Sequence, residues 1–94
     1  MEKKIWLVGY IEYNSDSTRD SKIYKDIKPF TDEVAAMVAH RDNILELAGW
    51  VCDGEDAEVA DEYYYDHQND THIIENVGDD IVNIWIEEHK ININ

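Results

Sequence analysis

The stretch KKIWLVGYIEY, residues 3–13, decides how this chain folds. In an extended segment, apolar and aromatic residues would alternate onto both of its faces. One face would carry Ile5, Leu7, Gly9, Ile11 and Tyr13, and the other Trp6, Val8 and Tyr10. Because a strand that is apolar on both sides is typical of the interior of a sheet, the stretch predicts an interior strand.

The residues that follow predict a hairpin. The polar, turn-rich run NSDSTRDS, residues 14–21, separates the first strand from a second alternating stretch at residues 22–30. Such a turn between two alternating stretches is typical of a β-hairpin. Pro29 lacks a backbone donor, and charged residues alternate with apolar ones around it. We therefore expect the second strand at an edge of the sheet.

A helix is expected next, over residues 32–48. The Thr31 hydroxyl can cap free amides, and Asp32 and Glu33 complement the positive end of the helix dipole. Gly49 is the expected C-cap. The apolar residues at helical spacing are expected to face inward: Val34, Met37, Val38, Ile44, Leu45 and Ala48.

The remaining pattern predicts a second helix at residues 54–67, a short strand at 71–77, a turn at 78–80 and a strand at 81–91. In the second helix, Ala57, Ala60, Tyr63 and Tyr64 are expected to face inward. The fold class is therefore α+β, a small antiparallel sheet in the order ββα(α)ββ with the helices packed on one face. At 94 residues the chain is too short to divide its apolar residues between two cores, so residues 1–94 are expected to form one domain.

Charge divides the chain into two parts. Residues 1–41 carry seven acidic and seven basic residues, whereas residues 42–89 carry fifteen acidic residues and no Lys or Arg. At average composition, fewer than about 1 % of 48-residue windows would contain neither Lys nor Arg by chance. With a net charge of −14, nucleic acid and anionic membranes would repel the chain, so a basic protein partner is expected. The alternative is an ordinary solvated acidic face or a solubility device.

If residues 54–67 are helical, Glu55, Glu58, Glu62 and Asp66 form one row with neighbours about 5 to 6 Å apart. The charge density along this helix would approach that of the phosphates on one side of a duplex. Three consecutive tyrosines cannot all face one core, so at least one is expected at the surface, where it could stack on a partner's Arg. The alternative is that one or two of them belong to the core. The predicted partner-binding residues are Asp53, Glu55, Asp56, Glu58, Asp61, Glu62, Tyr64, Tyr65, Asp66 and Asp70.

Patterns that would indicate catalysis or metal binding are weak. His67 and His72, with Asp66 and Asp70 nearby, are the best metal candidates, but their spacing matches no recognised motif such as HExxH. Cys52 is the only cysteine, and its acidic neighbourhood disfavours the reactive thiolate. The chain has no GxSxG elbow and no phosphate-binding glycine loop. We therefore expect no enzyme activity, cofactor or metal.

The same features indicate the compartment. A single cysteine excludes an internal disulfide framework, which fits a reducing cytoplasm. No apolar stretch approaches the roughly 20 residues that span a bilayer, and the pattern of a secretory leader is absent. We therefore expect a cytoplasmic protein.

A small domain with a charge-neutral half and an acidic half without cations resembles the DNA-mimic inhibitors of phages and mobile elements, including anti-restriction and anti-CRISPR proteins. The resemblance rests on size, charge and architecture, because those proteins share no sequence motif. It implies a stoichiometric inhibitor that occupies the basic surface of a host defence nuclease or related complex. The alternative is an acidic interaction or regulatory module that binds a basic host protein without copying nucleic acid.

Overall fold

The computed structural model describes residues 2–14, 22–51 and 57–92. Its elements are β1 (Glu2–Asn14), β2 (Lys22–Phe30), α1 (Glu33–Val51), α2 (Ala57–His67), β3 (His72–Val77) and β4 (Asp80–Asn92). The order ββααββ and the antiparallel pairing of all strands confirm the predicted α+β class.

The four strands form one sheet in the order β2-β1-β4-β3. β1 lies between β2 and β4, as its two apolar faces predict, and β2 lies at an edge. The first and last strands pair along their full length, from Glu2 opposite Asn92 to Asn14 opposite Asp80. Gly78, with φ of 62°, begins the tight turn between β3 and β4, where a residue with a Cβ would be strained.

Helix α1 contacts all four strands and covers one face of the sheet. Its Ile44 and Leu47 are fully buried against Tyr10 of β1 and against Val82 and Ile84 of β4. Burying a side chain of this size contributes about 1.5 to 3 kcal/mol. This cluster is the core that joins the helical layer to the sheet.

The predicted inward face of α1 is wrong in part. Met37 and the row Val34, Val38 and Leu45 are exposed, and the side chains that face the sheet are Ala36, His40, Ile44, Leu47 and Ala48. The two rows have the same spacing but are offset by two positions, which is about 200° around a helix. Because both rows contain apolar residues, periodicity alone does not choose between them.

The ends of α1 also differ from the prediction. The N-cap is Asp32, whose Oδ1 accepts a hydrogen bond of 3.3 Å from the Val34 amide, so this role does not fall to Thr31. At the other end the helix continues through Gly49 to Val51, so Gly49 is not a C-cap.

Helix α2 packs on α1. Tyr63 and Tyr64 contact the core cluster, whereas Tyr65 is exposed. The prediction that the three tyrosines could not all face the core is therefore confirmed.

Candidate acidic interface

The outer side of α2 carries a compact group of acidic side chains. Since each helical residue advances about 100°, these side chains fall within an arc of about 140°, and Tyr65 lies inside this arc. Tyr65 itself is 70 % exposed. The group consists of four exposed carboxylates, Glu58, Asp61, Glu62 and Asp66, and with Tyr65 they form what we call the acidic face.

The inner side of α2 sets the direction of the acidic face. The hydroxyl of Tyr63 donates a hydrogen bond of 2.9 Å to Glu75 Oε1 on β3. The rings of Tyr63 and His67 lie with their centroids 4.3 Å apart. Because Tyr63 is held by both β3 and the core, the opposite side of the helix is turned away from the protein.

The turn after α2 is held by Asp70. Its Oδ2 lies 2.8 Å from His67 Nδ1, and its amide donates a 2.9 Å hydrogen bond to the His67 carbonyl. Its own carbonyl accepts a 2.7 Å hydrogen bond from Nε2 of His40 on α1. Asp70 therefore ties the end of α2 to α1.

His40 is neutral in this arrangement. It is only 4 % exposed, and burial lowers the pKa of its imidazole. Since a carbonyl oxygen can only accept, the proton resides on Nε2.

Three carboxylates of the acidic face have no cationic partner in the described part of the chain. Asp61, Glu62 and Asp66 form no ion pair with any residue in the described ranges. Among the described residues, lysines form ion pairs on the sheet, where Lys4 contacts Glu88, Lys28 contacts Asp26 and Lys90 contacts Glu2. The negative charge of α2 is therefore available to a positively charged partner.

The structure brings together half of the predicted partner-binding residues. Glu58, Asp61, Glu62, Tyr65 and Asp66 share the acidic face. Tyr64 is half-buried in contact with the core, and its ring meets that of Tyr65 edge to face at 6.1 Å. Asp70 is exposed but engaged with His67. Asp53, Glu55 and Asp56 lie outside the described residues, so the row is defined here only from Glu58 to Asp66.

Sequence reasoning missed a second cluster of carboxylates, which lies next to the core. Glu12 on β1 is only 5 % exposed. Burial raises the pKa of its carboxyl, and the nearby Asp80 and Glu46 raise it further. The neighbouring Tyr10 hydroxyl has its pKa raised to about 12, mainly by burial and then by Glu46 and Glu12. The alternation of β1 could have predicted the burial of Glu12, because Glu12 lies on the same strand face as Trp6, Val8 and Tyr10.

The two candidate metal-binding histidines are separated by the sheet. His67 belongs to the helical layer, whereas His72 lies on the opposite face, with its Nε2 2.7 Å from Asn83 Oδ1. Within the described part of the chain, no three His, Cys, Asp or Glu side chains are grouped in a way that could hold a metal ion. Neither described helix is long and apolar enough to cross a membrane.

No protein-family model, no curated protein and no solved structure matches this chain. The case for a function therefore rests on the geometry and charge of the acidic face.

Proposed function

We propose that this protein is an acidic nucleic-acid mimic, an inhibitor that occupies the basic nucleic-acid-binding surface of a host defence nuclease or related complex. The observation that carries the proposal is the acidic face of α2, in which four exposed carboxylates share one side of the helix with an exposed tyrosine. Binding without catalysis is part of the proposal.

The spacing of the carboxylates supports it. From Glu58 to Asp66 the helix rises about 12 Å, so its four carboxylates are separated on average by about 4 Å along the axis. A nucleic-acid strand presents one phosphate about every 3.4 Å along the duplex axis. A row of Lys and Arg that is spaced to contact phosphates would therefore meet a carboxylate at similar intervals.

Tyr65 supports it as well. Surfaces that bind single strands combine cations with aromatic or Arg side chains on which bases stack. The ring of Tyr65 lies beside the carboxylates of the acidic face. The Lys and Arg side chains of such a surface could therefore stack on an aromatic ring as well as pair with a carboxylate. The edge-to-face contact with half-buried Tyr64 restricts this ring without covering it.

The basic channels of nucleic-acid enzymes carry charges that are complementary to the acidic face. We expect the two proteins to meet in the reducing cytoplasm. The attraction should be fast and salt-sensitive, because it is made by exposed charges at a surface. An acidic regulatory module would share these properties but would bind beside the nucleic acid.

Competition separates the two functions. The protein is immobilised, and a nuclease-treated host lysate is passed over it at low salt; retained proteins are eluted with duplex DNA and then with 500 mM NaCl, and are identified by mass spectrometry. A mimic predicts that basic nucleic-acid-binding proteins leave with the DNA. Retained proteins that resist DNA but leave with salt would contradict the mimic and favour a regulatory module.

A further inference from the structure

The sheet has a second face on which no described element packs. Strand alternation and register place an apolar group there, opposite the face that α1 and α2 cover. Its main members are Leu7, Ile11, Ile27, Ile74, Ile81 and Trp85, and we call this surface the open face. Ile74 is 59 % exposed and Ile27 is 40 % exposed, although both are large aliphatic residues.

Trp85 lies at the centre of the open face. In register it is opposite Gly9, and a Cβ at Gly9 would come within 2.3 Å of its ring atoms. The missing side chain lets the Trp85 ring lie across β1. A partly exposed tryptophan that lies between aliphatic neighbours is the kind of residue that anchors protein interfaces.

The open face also differs in charge from the rest of the molecule. Its described strand residues include two lysines, Lys3 and Lys25, and one carboxylate, Glu87, which contacts His89 at 2.9 Å. The whole chain carries −14. Two copies that approach through this face therefore bring only one strand carboxylate each, against two lysines, whereas any approach through α2 would be repulsive.

We propose that two copies of this chain associate through their open faces, sheet against sheet. Four strands at about 4.8 Å spacing and about 30 Å of strand length offer on the order of 600 Å² per copy, or about 1,200 Å² in total. This reaches the lower end of the range for specific interfaces. Facing sheets would pack about 10 Å apart, as in other β-sandwiches.

This arrangement accommodates the charge of both copies. Each helical layer lies outside its own sheet, so the two acidic faces point away from each other. Their separation would be about 30 Å, from one sheet-to-sheet and two helix-to-sheet distances of about 10 Å each. That exceeds the Debye length of about 8 Å at physiological salt. The association does not depend on the proposed function of α2.

Sedimentation equilibrium tests the dimer. From about 1 to 500 μM, the wild-type chain should change reversibly from monomer to dimer, with the micromolar dissociation constant of a small interface. Raising NaCl from 150 to 500 mM should strengthen the dimer, because screening weakens the repulsion between two acidic copies. A chain that stays monomeric over this range, or a dimer that salt dissociates, would overturn the proposal.

A matched pair of variants locates the interface. Ile27→Lys with Ile74→Lys places two cations on the edge strands of the open face, and Val34→Lys with Val38→Lys makes the same change on the exposed side of α1. The first pair should weaken the dimer at least about tenfold, because each buried charge lacks a partner. The second should leave it unchanged or slightly stronger. Equal weakening by both pairs would refute the interface.

An experiment on the wild-type protein needs no substitution. Mixed labelled and unlabelled copies should give intermolecular NOEs among the methyl groups of Leu7, Ile11 and Ile74 and the ring of Trp85. Intermolecular NOEs from Val38 or Leu45 of α1 in their place would put the contact on the helical layer and contradict the proposal.

Discussion

The hydroxyl of Tyr63 on α2 is hydrogen-bonded to the carboxylate of Glu75 on β3, at 2.9 Å. This bond and the core contacts of Tyr63 connect the acidic helix to the sheet. They determine which side of α2 faces outward.

Tyr63→Phe should therefore destabilise the protein by about 1 to 2 kcal/mol, since a hydrogen bond to a charged group is lost while the ring remains. Urea denaturation followed by circular dichroism measures the change. Tyr65→Phe is the control, because the Tyr65 side chain is exposed, and it should change stability by less than about 0.5 kcal/mol. Equal effects of the two substitutions would contradict the anchoring role of Tyr63.

Two glycines should respond to alanine in opposite directions. At Gly9 a Cβ would collide with the Trp85 ring, so Gly9→Ala should cost about 1 to 3 kcal/mol. At Gly49, inside α1, a Cβ meets no atom within 4 Å, so Gly49→Ala should stabilise the protein by about 0.5 to 1 kcal/mol. Thermal melting of both variants provides the measurement. A stable Gly9→Ala variant would show that Trp85 does not lie across β1.

Much of this fold follows from the sequence, because a strand that carries apolar residues on both of its faces is recognised without ambiguity. β1 and β4 are of this kind. The orientation of α1 does not follow, since its two apolar rows compete and only contact with the sheet selects Ile44 and Leu47. The pairing of the first strand with the last does not follow either, because it depends on tertiary packing.

The acidic face could be predicted in part. Once α2 is helical, the spacing of Glu58, Glu62 and Asp66 places them together. The engagement of Asp70 with His67 and His40 could not be foreseen, because it depends on how the turn meets α1. The open face could not be predicted for a similar reason, because the side of β1 that remains uncovered depends on the side that α1 covers.

Glu12 should make stability depend on pH. Its folded pKa is raised, so its favourable contribution is fully present below the unfolded value of 4.5 and is lost as pH rises through the folded pKa. Glu12→Gln should therefore stabilise the protein at pH 7.5, and the advantage should vanish at about pH 3.5. Urea midpoints of wild type and variant at both values measure this. A variant that is less stable than wild type at pH 7.5 would contradict the account.

His40 should have the opposite dependence. Its folded pKa is lowered by burial, so its contribution is present above the unfolded value of 6.5 and is lost as pH falls below that value toward the folded pKa. The stability difference between wild type and His40→Leu should shrink between pH 7.5 and about pH 5.5. Urea denaturation at both values tests this, and a difference that grows on acidification would contradict it.

In the proposed function a shaped acidic surface, and not bulk charge, binds the basic target. Two quartets of substitutions that remove equal charge test it. The first neutralises the acidic face with Glu58→Gln, Asp61→Asn, Glu62→Gln and Asp66→Asn. The second removes four carboxylates elsewhere, with Glu2→Gln, Asp26→Asn, Asp42→Asn and Glu88→Gln.

The most direct measurement is the inhibition constant of each quartet in competition with duplex DNA for the captured target at 150 mM NaCl. Neutralising the acidic face should weaken inhibition at least about tenfold, because interfacial charge pairs can cost 2 to 5 kcal/mol when one member is removed. The second quartet should change it by less than about threefold, since exposed pairs contribute little. Equal losses would show that net charge alone drives binding, and an unchanged constant for the first quartet would contradict the assignment of the acidic face.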